Sequence, residues 1–168
     1  MKISEAIRSR RSVRKYEERP VEREKIEQLL RAAMQAPSAG NQQAWEFLVV
    51  ENKEMLQKLA KAHPYALPMA KAALGILVLS KEAALKYPAY WQQDLAAATQ
   101  NLLLEAVELG LGAVWMGVAP EEERMQFIKD LFQLPQGVTP FAMLAVGYSP
   151  DNQFVDRFDA TRIHYEQY

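Results

Sequence analysis

"DLAAATQNLLLEAVEL", residues 94–109, is the longest segment of the chain with a helical pattern. It carries little charge, and its apolar side chains recur at helical spacing: Leu95, Ala98, Leu102, Leu103, Ala106 and Leu109. A helix this apolar is expected to be buried on more than one side. Gly110 stands where a glycine commonly ends a helix, and "AVWMGV" (113–118) after it is typical of a buried strand.

Periodic and apolar segments alternate on both sides of this helix. Apolar runs predict further strands at 45–50, 73–80 and 140–148. Helices are predicted over 22–34 and 52–63, and over 120–131 with Pro120 at the first helical position. Ser4 is the predicted cap of a short helix at the N-terminus. Helices interleaved with four buried strands indicate an α/β or α+β fold. No repeat or long linker divides the chain, so residues 1–168 are predicted to form one domain with a C-terminal arm over about 150–168.

Composition excludes several classes of protein. The chain has 168 residues, a net charge of −1 and no cysteine, so disulfides, cysteine-ligated metals and thiol catalysis are all excluded. The N-terminus lacks the apolar core of a signal peptide, and no apolar run reaches the ~18 residues that span a bilayer. These features predict a cytoplasmic protein without membrane contact. The two histidines, His63 and His164, lie far apart in sequence, and surface positions are expected for both.

The basic charge is concentrated in one place. Residues 8–19, around "SRRSVRKY" (9–16), carry +4, which leaves −5 for the rest of the chain. A solvated surface, a nucleic-acid patch and a socket for one anion are the three interpretations. Nucleic-acid binding is disfavoured because no second basic face or aromatic groove accompanies the cluster. Guanidiniums and a hydroxyl this close together can bind one phosphate and leave an arginine for a second anionic group.

Two other segments have both an ordinary and a functional interpretation. "PSAGNQQAW" (37–45) is a polar loop before a strand, or a rim whose Ser38, Asn41, Gln42 and Gln43 hydrogen-bond a flat polar heterocycle. "GAVWMGV" (112–118) is a core strand, or one whose Gly117 lets the backbone approach a ligand closely.

Together these segments resemble the FMN-dependent nitroreductase family. "ISEAIRSRRSVRKY" is similar to the family's first helix and its R-R-S-x-R phosphate motif. "APSAGNQQAWEFLVV" is similar to its A-P-S-x-x-N-x-Q-P-W-x-F segment. "WQQDLAAATQNLLLEAVELGLGAVWMG" resembles its central dimer helix and the loop that follows. "PFAMLAVGYSPD" and "DRFDATRIHYEQY" resemble its last strand and C-terminal arm, so the resemblance covers nearly the whole chain in order.

The resemblance implies an α+β fold, with a mixed or antiparallel sheet wrapped by helices, and an intertwined homodimer with two FMN molecules at its interface. It implies that NADH or NADPH reduces the flavin and that a small organic acceptor, such as a nitroaromatic or a quinone, then reoxidises it. The residues implied to contact FMN are Arg10, Arg11 and Ser12 at the phosphate, Arg14 at the pyrimidine edge, Pro37, Ser38, Ala39 and Asn41 from the other subunit, Trp115, Met116 and Gly117 at the far edge, and Arg157 from the arm.

The chain departs from the family pattern at two positions. Ala44 replaces the proline before the tryptophan, and Val155 stands where a lysine of the arm is usual. Tyr65, Tyr87, Tyr90 and Trp91 either line the substrate pocket or pack in the dimer core, and packing is favoured for Trp91. Two other functions stay open: a flavin enzyme of the same fold that does not turn over NAD(P)H, such as a flavin-fragmenting or dehalogenating enzyme, and a non-enzymatic nucleic-acid-binding protein.

Overall fold

Four antiparallel strands form one sheet in the computed structural model, which describes residues 2–150 and 156–168. The strands are β1 (Trp45–Val50), β2 (Leu74–Lys81), β3 (Gly112–Gly117) and β4 (Val138–Gly147), in the order β1-β2-β4-β3. All four strands predicted from the sequence are confirmed, with ends that differ by at most two residues. β3 is therefore an edge strand, which leaves one of its sides open for further contacts.

Helices cover both faces of this sheet, as the α+β prediction requires. They are α1 (Ile3–Ser9), α2 (Arg23–Met34), α3 (Lys53–Leu59), α4 (Trp91–Glu108) and α5 (Glu122–Phe132). Alternate residues of β2 point to opposite faces. Ile76 and Val78 pack in the cluster that contains α2 and α4, whereas Leu77 and Leu79 pack in the cluster that contains α3 and α5.

Several helix ends differ from the prediction. Ser4 lies inside α1, because Lys2 takes the cap position and its N–H donates to the Glu5 carboxylate at 3.0 Å. Pro120 precedes α5, since Glu121 takes the cap position and the helix begins at Glu122. The third helix ends at Leu59 rather than at residue 63. After the helix, the N–H groups of Lys61 and Ala62 donate to the carbonyls three residues back, which tightens the chain before Pro64.

The C-terminal end of α4 is the predicted one. Gly110 adopts a left-handed conformation with φ 71°. The N–H of Leu111 donates to the Ala106 carbonyl at 2.7 Å, and the N–H of Gly110 donates to the Val107 carbonyl at 3.0 Å. These two bonds end the helix, and β3 begins two residues after Gly110, at Gly112. At its other end α4 begins at Trp91, one turn before the predicted start.

Residues 2–150 and 156–168 show neither a membrane-spanning helix nor a metal-binding cluster. Within them no helix combines the length and the apolar character needed to cross a bilayer. The same residues contain no group of three or more histidine, aspartate or glutamate side chains arranged to hold a metal ion.

Candidate functional site

The basic residues lie on an extended segment (residues 10–16) that docks beside the open edge of β3. Ser12 forms an isolated parallel bridge with Ala113, and the N–H of Val13 donates to the Ala113 carbonyl at 3.0 Å. Val13 is buried against Gly112, where a Cβ added to the glycine would lie 2.7 Å from Val13 Cγ1. Glycine at 112 therefore lets the basic segment approach the strand.

An extended backbone sends successive side chains to opposite sides, and this sorts the arginines. Arg11 shares the side of Val13 and lines a cavity of about 280 Å³ between the segment and α4. Its Nη1 is buried and has no hydrogen-bond partner among the described residues. Ser12 and Arg14 are exposed, and Arg10 is partly buried. The alternation therefore assigns Arg10, Ser12 and Arg14 to one face of the segment and Arg11 to the other.

Tyr16 fixes the end of the basic segment. Its hydroxyl lies 2.6 Å from the Val13 carbonyl and 2.9 Å from the Ala145 carbonyl, so it ties the segment to itself and to β4. Burial raises the pKa of this hydroxyl above its ordinary value, and the positive charge of Arg14 opposes the rise only in part. The phenol therefore stays protonated and keeps its hydrogen bond at physiological pH.

The loop of residues 37–44 is held by Gln42, which is buried at 6% exposure. Its amide oxygen accepts from the N–H groups of Lys86 and Tyr87 at 3.0 and 2.8 Å. Its amide nitrogen donates to the buried carboxylate of Asp94 in the first turn of α4. The other oxygen of that carboxylate accepts from the N–H of Ala39 at 2.9 Å. Gln42 is thus a structural anchor, which favours the ordinary interpretation of this loop at that position, since its amide already donates to Tyr87 and Asp94 and accepts from Lys86 and Tyr87.

The remaining polar groups of this loop form a local network. The hydroxyl of Ser38 accepts from the N–H of Gln43 at 3.0 Å, and the Asn41 side-chain oxygen accepts from the Gln43 amide at 3.0 Å. The amide nitrogen of Asn41 stays available on an exposed side chain, beside an exposed Pro37. Gly40 has φ 52°, and a Cβ there would lie 2.2 Å from the ring of Tyr87. The tyrosine ring therefore covers the loop at this glycine.

The three residues at the end of β3 differ in what they expose. Met116 is buried in the cluster of α3 and α5. Trp115 is half-buried, with its ring edge-to-face against Phe141 at a centroid distance of 5.6 Å. Gly117 is exposed, and apart from its chain neighbours no atom of the described residues lies within 4 Å of the position its Cβ would occupy. The open surface at this end of the strand is thus formed by the backbone of Gly117.

The C-terminal arm is exposed over residues 156–168. Arg157 lies in this exposed part, and no contact described for it reaches the basic segment. Val155 falls outside the described residues. Ala44, the other departure from the family pattern, is buried at 1% exposure, and its carbonyl accepts from the N–H of Lys81 at 2.8 Å. The alanine therefore fits the entrance of β1 without a proline.

The aromatic residues separate into two groups. Tyr65, Tyr87 and Tyr90 are exposed. Trp91 packs edge-to-face on Phe141 at a centroid distance of 5.9 Å. Trp91 therefore packs within its own chain, and its packing in a dimer core stays a prediction, whereas the three tyrosines are available at the surface.

Two residues near the site had no predicted part in it. Arg124 on α5 donates from Nη1 to the Gly117 carbonyl at 3.0 Å. His63, expected at the surface, is buried at 8% exposure, and its Nδ1 accepts from the N–H of Tyr65 at 3.1 Å. Burial, followed by the charge of Arg124, lowers the pKa of His63 below 6.5. Neither position belongs to a motif, so the sequence carried no signal for these contacts.

Comparison with known proteins gives one consistent family. The model of the Nitroreductase family matches residues 7–93 and 63–148. A protein of Methanothermobacter thermautotrophicus, provisionally named NADH dehydrogenase/NAD(P)H nitroreductase, is 45% identical over 169 residues, which cover 100% of this chain and 88% of that protein.

Solved structures agree with the sequence comparison. The crystal structure of a protein provisionally named NADH oxidase, from Clostridium acetobutylicum, has a TM-score of 0.95 and 51% identity over 97% of this chain and 99% of its own. A protein of Desulfovibrio desulfuricans provisionally named nitroreductase, solved in complex with FMN, has a TM-score of 0.84 and 30% identity over 98% of this chain and 96% of its own.

Proposed function

The chain belongs to the nitroreductase family, and from this premise we propose that it is an FMN-dependent oxidoreductase that uses NADH or NADPH to reduce a small organic acceptor. The observation that carries the proposal is the exposed face of the basic segment, where Arg10, Ser12 and Arg14 stand together beside the open end of β3. Relatives named for NAD(P)H nitroreductase activity and a similar structure solved with FMN support it.

The donors on this face fit the chemistry of FMN. A phosphate has about −1.5 to −2 charges and several strong acceptor oxygens, which suit a guanidinium and a hydroxyl in one place. We propose that Arg10 and Ser12 hold the phosphate directly. Arg11, which points into the cavity behind, contributes positive charge from the second side. Arg157 of the exposed arm completes the phosphate site.

The flavin ring is proposed to lie alongside the basic segment and β3, in the direction in which the two run parallel. Parallel pairing at Ser12 and Ala113 leads Arg14 toward the end of β3, where Gly117 leaves open space. Arg14 then faces the pyrimidine edge of the ring. The backbone at Trp115, Met116 and Gly117 faces the opposite edge, with a peptide N–H near N5.

A second copy of the chain is proposed to close the site. Residues Pro37, Ser38, Ala39 and Asn41 of the partner would cover the same flavin, so that an intertwined homodimer holds two FMN molecules. Large apolar side chains that the single chain leaves exposed support this assembly, among them Ile3 at 78% and Ile7 at 57% on α1 and Phe158 at 76% on the arm. Such patches commonly mark interfaces.

When bound, FMN would supply the transfer of a hydride equivalent, two electrons and a proton, from NAD(P)H to the acceptor. The residues of this chain bind the cofactor, orient it and polarise its ring. Arg14 places a fixed positive charge where negative charge develops on the ring, which favours the reduced form. Gln42 and Asp94 keep the loop of residues 37–44 in one conformation, so it does not need to order on binding. No side chain at the site is required to act as an acid or a base.

The location and the domain organisation are also proposals. The absence of cysteine fits a cytoplasmic protein. We propose that residues 1–168 act as one FMN-binding domain whose arm begins at about residue 150.

The decisive test is the visible spectrum of the purified protein after addition of FMN and gel filtration. Two flavin absorption bands that elute with a dimer are expected, together with oxidation of NADH or NADPH in the presence of a quinone or nitroaromatic acceptor. A colourless protein that does not retain FMN contradicts the proposal. Retained FMN without NAD(P)H oxidation instead indicates a flavin enzyme of another reaction class.

Neighbouring arginines provide a matched pair for the phosphate site. Arg10→Met is expected to raise the dissociation constant for FMN by about 10- to 100-fold, because a charge-assisted hydrogen bond contributes about 1.5–3 kcal/mol. Arg11→Met removes the same charge from the opposite side and is expected to raise it much less. Isothermal titration with FMN measures both, and equal losses would place Arg11 among the direct ligands.

A further inference from the structure

Gly117 is the last residue of β3, and few contacts restrain it. Its pairing with Ala142 is the last of the ladder between β3 and β4. The side on which a Cβ would stand is open: in residues 2–150 and 156–168, chain neighbours aside, no atom lies within 4 Å of that position. Glycine has a wider choice of backbone conformations than any other residue. The peptide that follows Gly117 therefore needs contacts from elsewhere in the molecule to keep one orientation.

Two contacts from different elements restrain that peptide. On one side the N–H of Val118 donates to the Phe141 carbonyl of β4 at 3.1 Å. On the other side the Gly117 carbonyl accepts from Arg124 Nη1 at 3.0 Å. The second contact spans only seven residues and joins the strand end to the first turns of α5. It is a hydrogen bond from a charged donor, which is about twice as strong as a neutral one.

The acidic residues next to Arg124 do not draw its guanidinium away from the Gly117 carbonyl. The acidic residues just before it, Glu121, Glu122 and Glu123, are exposed, and no ion pair with Arg124 is found among the described residues. Among the described residues His63 also interacts with Arg124, and burial together with the charge of Arg124 lowers the pKa of His63, which favours the neutral imidazole. The histidine therefore does not repel the arginine.

We propose that Arg124 is a positioning residue for the electron transfer at this site. It holds the Gly117 carbonyl, and through it the orientation of the last peptides of β3 that face the flavin edge. This inference rests on the proposed function, which places the ring beside Gly117. Arg124 does not touch the ring; it acts through the backbone that does.

The test compares Arg124→Met, Arg124→Lys and the control Lys129→Met, which removes a cation from the same helix. Amide hydrogen exchange of Val118 is measured without FMN, and the midpoint potential of bound FMN is measured by redox titration. In Arg124→Met the Val118 amide is expected to exchange about 10-fold faster, since one charge-assisted hydrogen bond is lost. The potential is expected to fall, and kcat to drop more than KM changes. Arg124→Lys is expected to restore part of both effects, and Lys129→Met neither.

The outcomes separate this inference from the proposed function. A wild-type protein that does not bind FMN contradicts both. Bound FMN with a Val118 exchange rate and a potential unchanged in Arg124→Met overturns only the positioning by Arg124. A potential that Lys restores fully while Val118 exchange stays fast also overturns it, because the effect then comes from charge alone. Thermal unfolding of each variant confirms that the comparison is made between folded proteins.

Discussion

Arg14 and Lys15 are adjacent cations that the extended backbone directs to opposite sides. Arg14 is exposed on the face of Ser12, whose carbonyl accepts from Arg14 Nη1 at 3.3 Å. Tyr16 anchors the chain immediately afterwards through the Val13 and Ala145 carbonyls. Arg14 is thus a charge on a fixed piece of backbone, which is the condition for stabilising charge without reorganisation.

Arg14→Ala is expected to lower kcat/KM for an NAD(P)H-dependent acceptor by about 10- to 100-fold, because a preorganised charge is lost where negative charge develops. The melting temperature is expected to change little, since the side chain is exposed. Steady-state rates and thermal unfolding measure the two effects. Lys15→Ala is the control and should leave both close to wild type. Unchanged turnover and flavin binding in Arg14→Ala would remove the proposed role of this residue.

At the scale of single residues, the sequence predicts which residue types the site contains but not which contacts they make. The concentration of guanidiniums and a hydroxyl near residue 12 was visible as a local charge of +4. The hydrogen bond between Gln42 and Asp94 joins residues 52 positions apart, and only the folded chain shows it. The direction of Arg11 likewise depends on how Val13 docks on Gly112.

Among the elements, the strands were easier to predict than the helix ends. A strand buried on both faces is a continuous apolar run, and β2 is such a run from Leu74 to Leu79. A helix end depends on which residue takes the cap, and several neighbours can compete for it. Lys2 and Glu121 take the N-cap positions, although the sequence pattern indicated Ser4 and Pro120 as the residues that start these two helices. These ends do not affect the site, which depends on the pairing of the basic segment with β3.

Gly112→Ala tests that pairing, because its methyl group would meet Val13 Cγ1 at 2.7 Å. The basic segment is expected to move off β3, with loss of FMN affinity by about 10-fold or more and a destabilisation of about 1–3 kcal/mol from overpacking. Val13→Gly in the same chain makes room for the methyl group, because it removes the Val13 Cβ at 2.8 Å as well as both γ-methyl groups, so the double variant is expected to regain part of the FMN affinity. FMN titration and urea unfolding measure both. A Gly112→Ala protein that binds FMN like wild type would show that the docking does not position the phosphate ligands.

At the scale of the whole molecule, one chain leaves a conspicuous set of apolar side chains in water. The exposed side chains of α1 and of the arm, Ile3, Ile7, Phe158 and Tyr165, belong to segments that flank the basic segment in sequence or contain Arg157. A single amino-acid sequence does not show which surface a second copy covers. The prediction of a homodimer came from the family resemblance, and the exposed apolar surface gives that prediction a physical reason.

Ile7→Glu distinguishes a dimer from a monomer. Ile7 is 57% exposed in the single chain, so a carboxylate there costs a monomer little stability. In a homodimer that buries this face, the same carboxylate loses its water without gaining a partner, and the dimer is expected to dissociate. Because the proposed site includes the partner's loop of residues 37–44, FMN is expected to be lost when the dimer dissociates. Sedimentation velocity at several concentrations, read at the protein and flavin wavelengths, measures assembly and cofactor together.

Gln57→Glu is the control for this prediction, since it adds the same charge to an exposed position on α3, which packs on the other face of the sheet from α2 and α4. It is expected to remain a dimer with bound FMN. An Ile7→Glu protein that stays dimeric and yellow would place the interface away from α1. A wild-type protein that sediments as a monomer while retaining FMN would contradict the homodimer itself, because one chain would then hold the cofactor with Arg10, Ser12 and Arg14 and without a partner's loop.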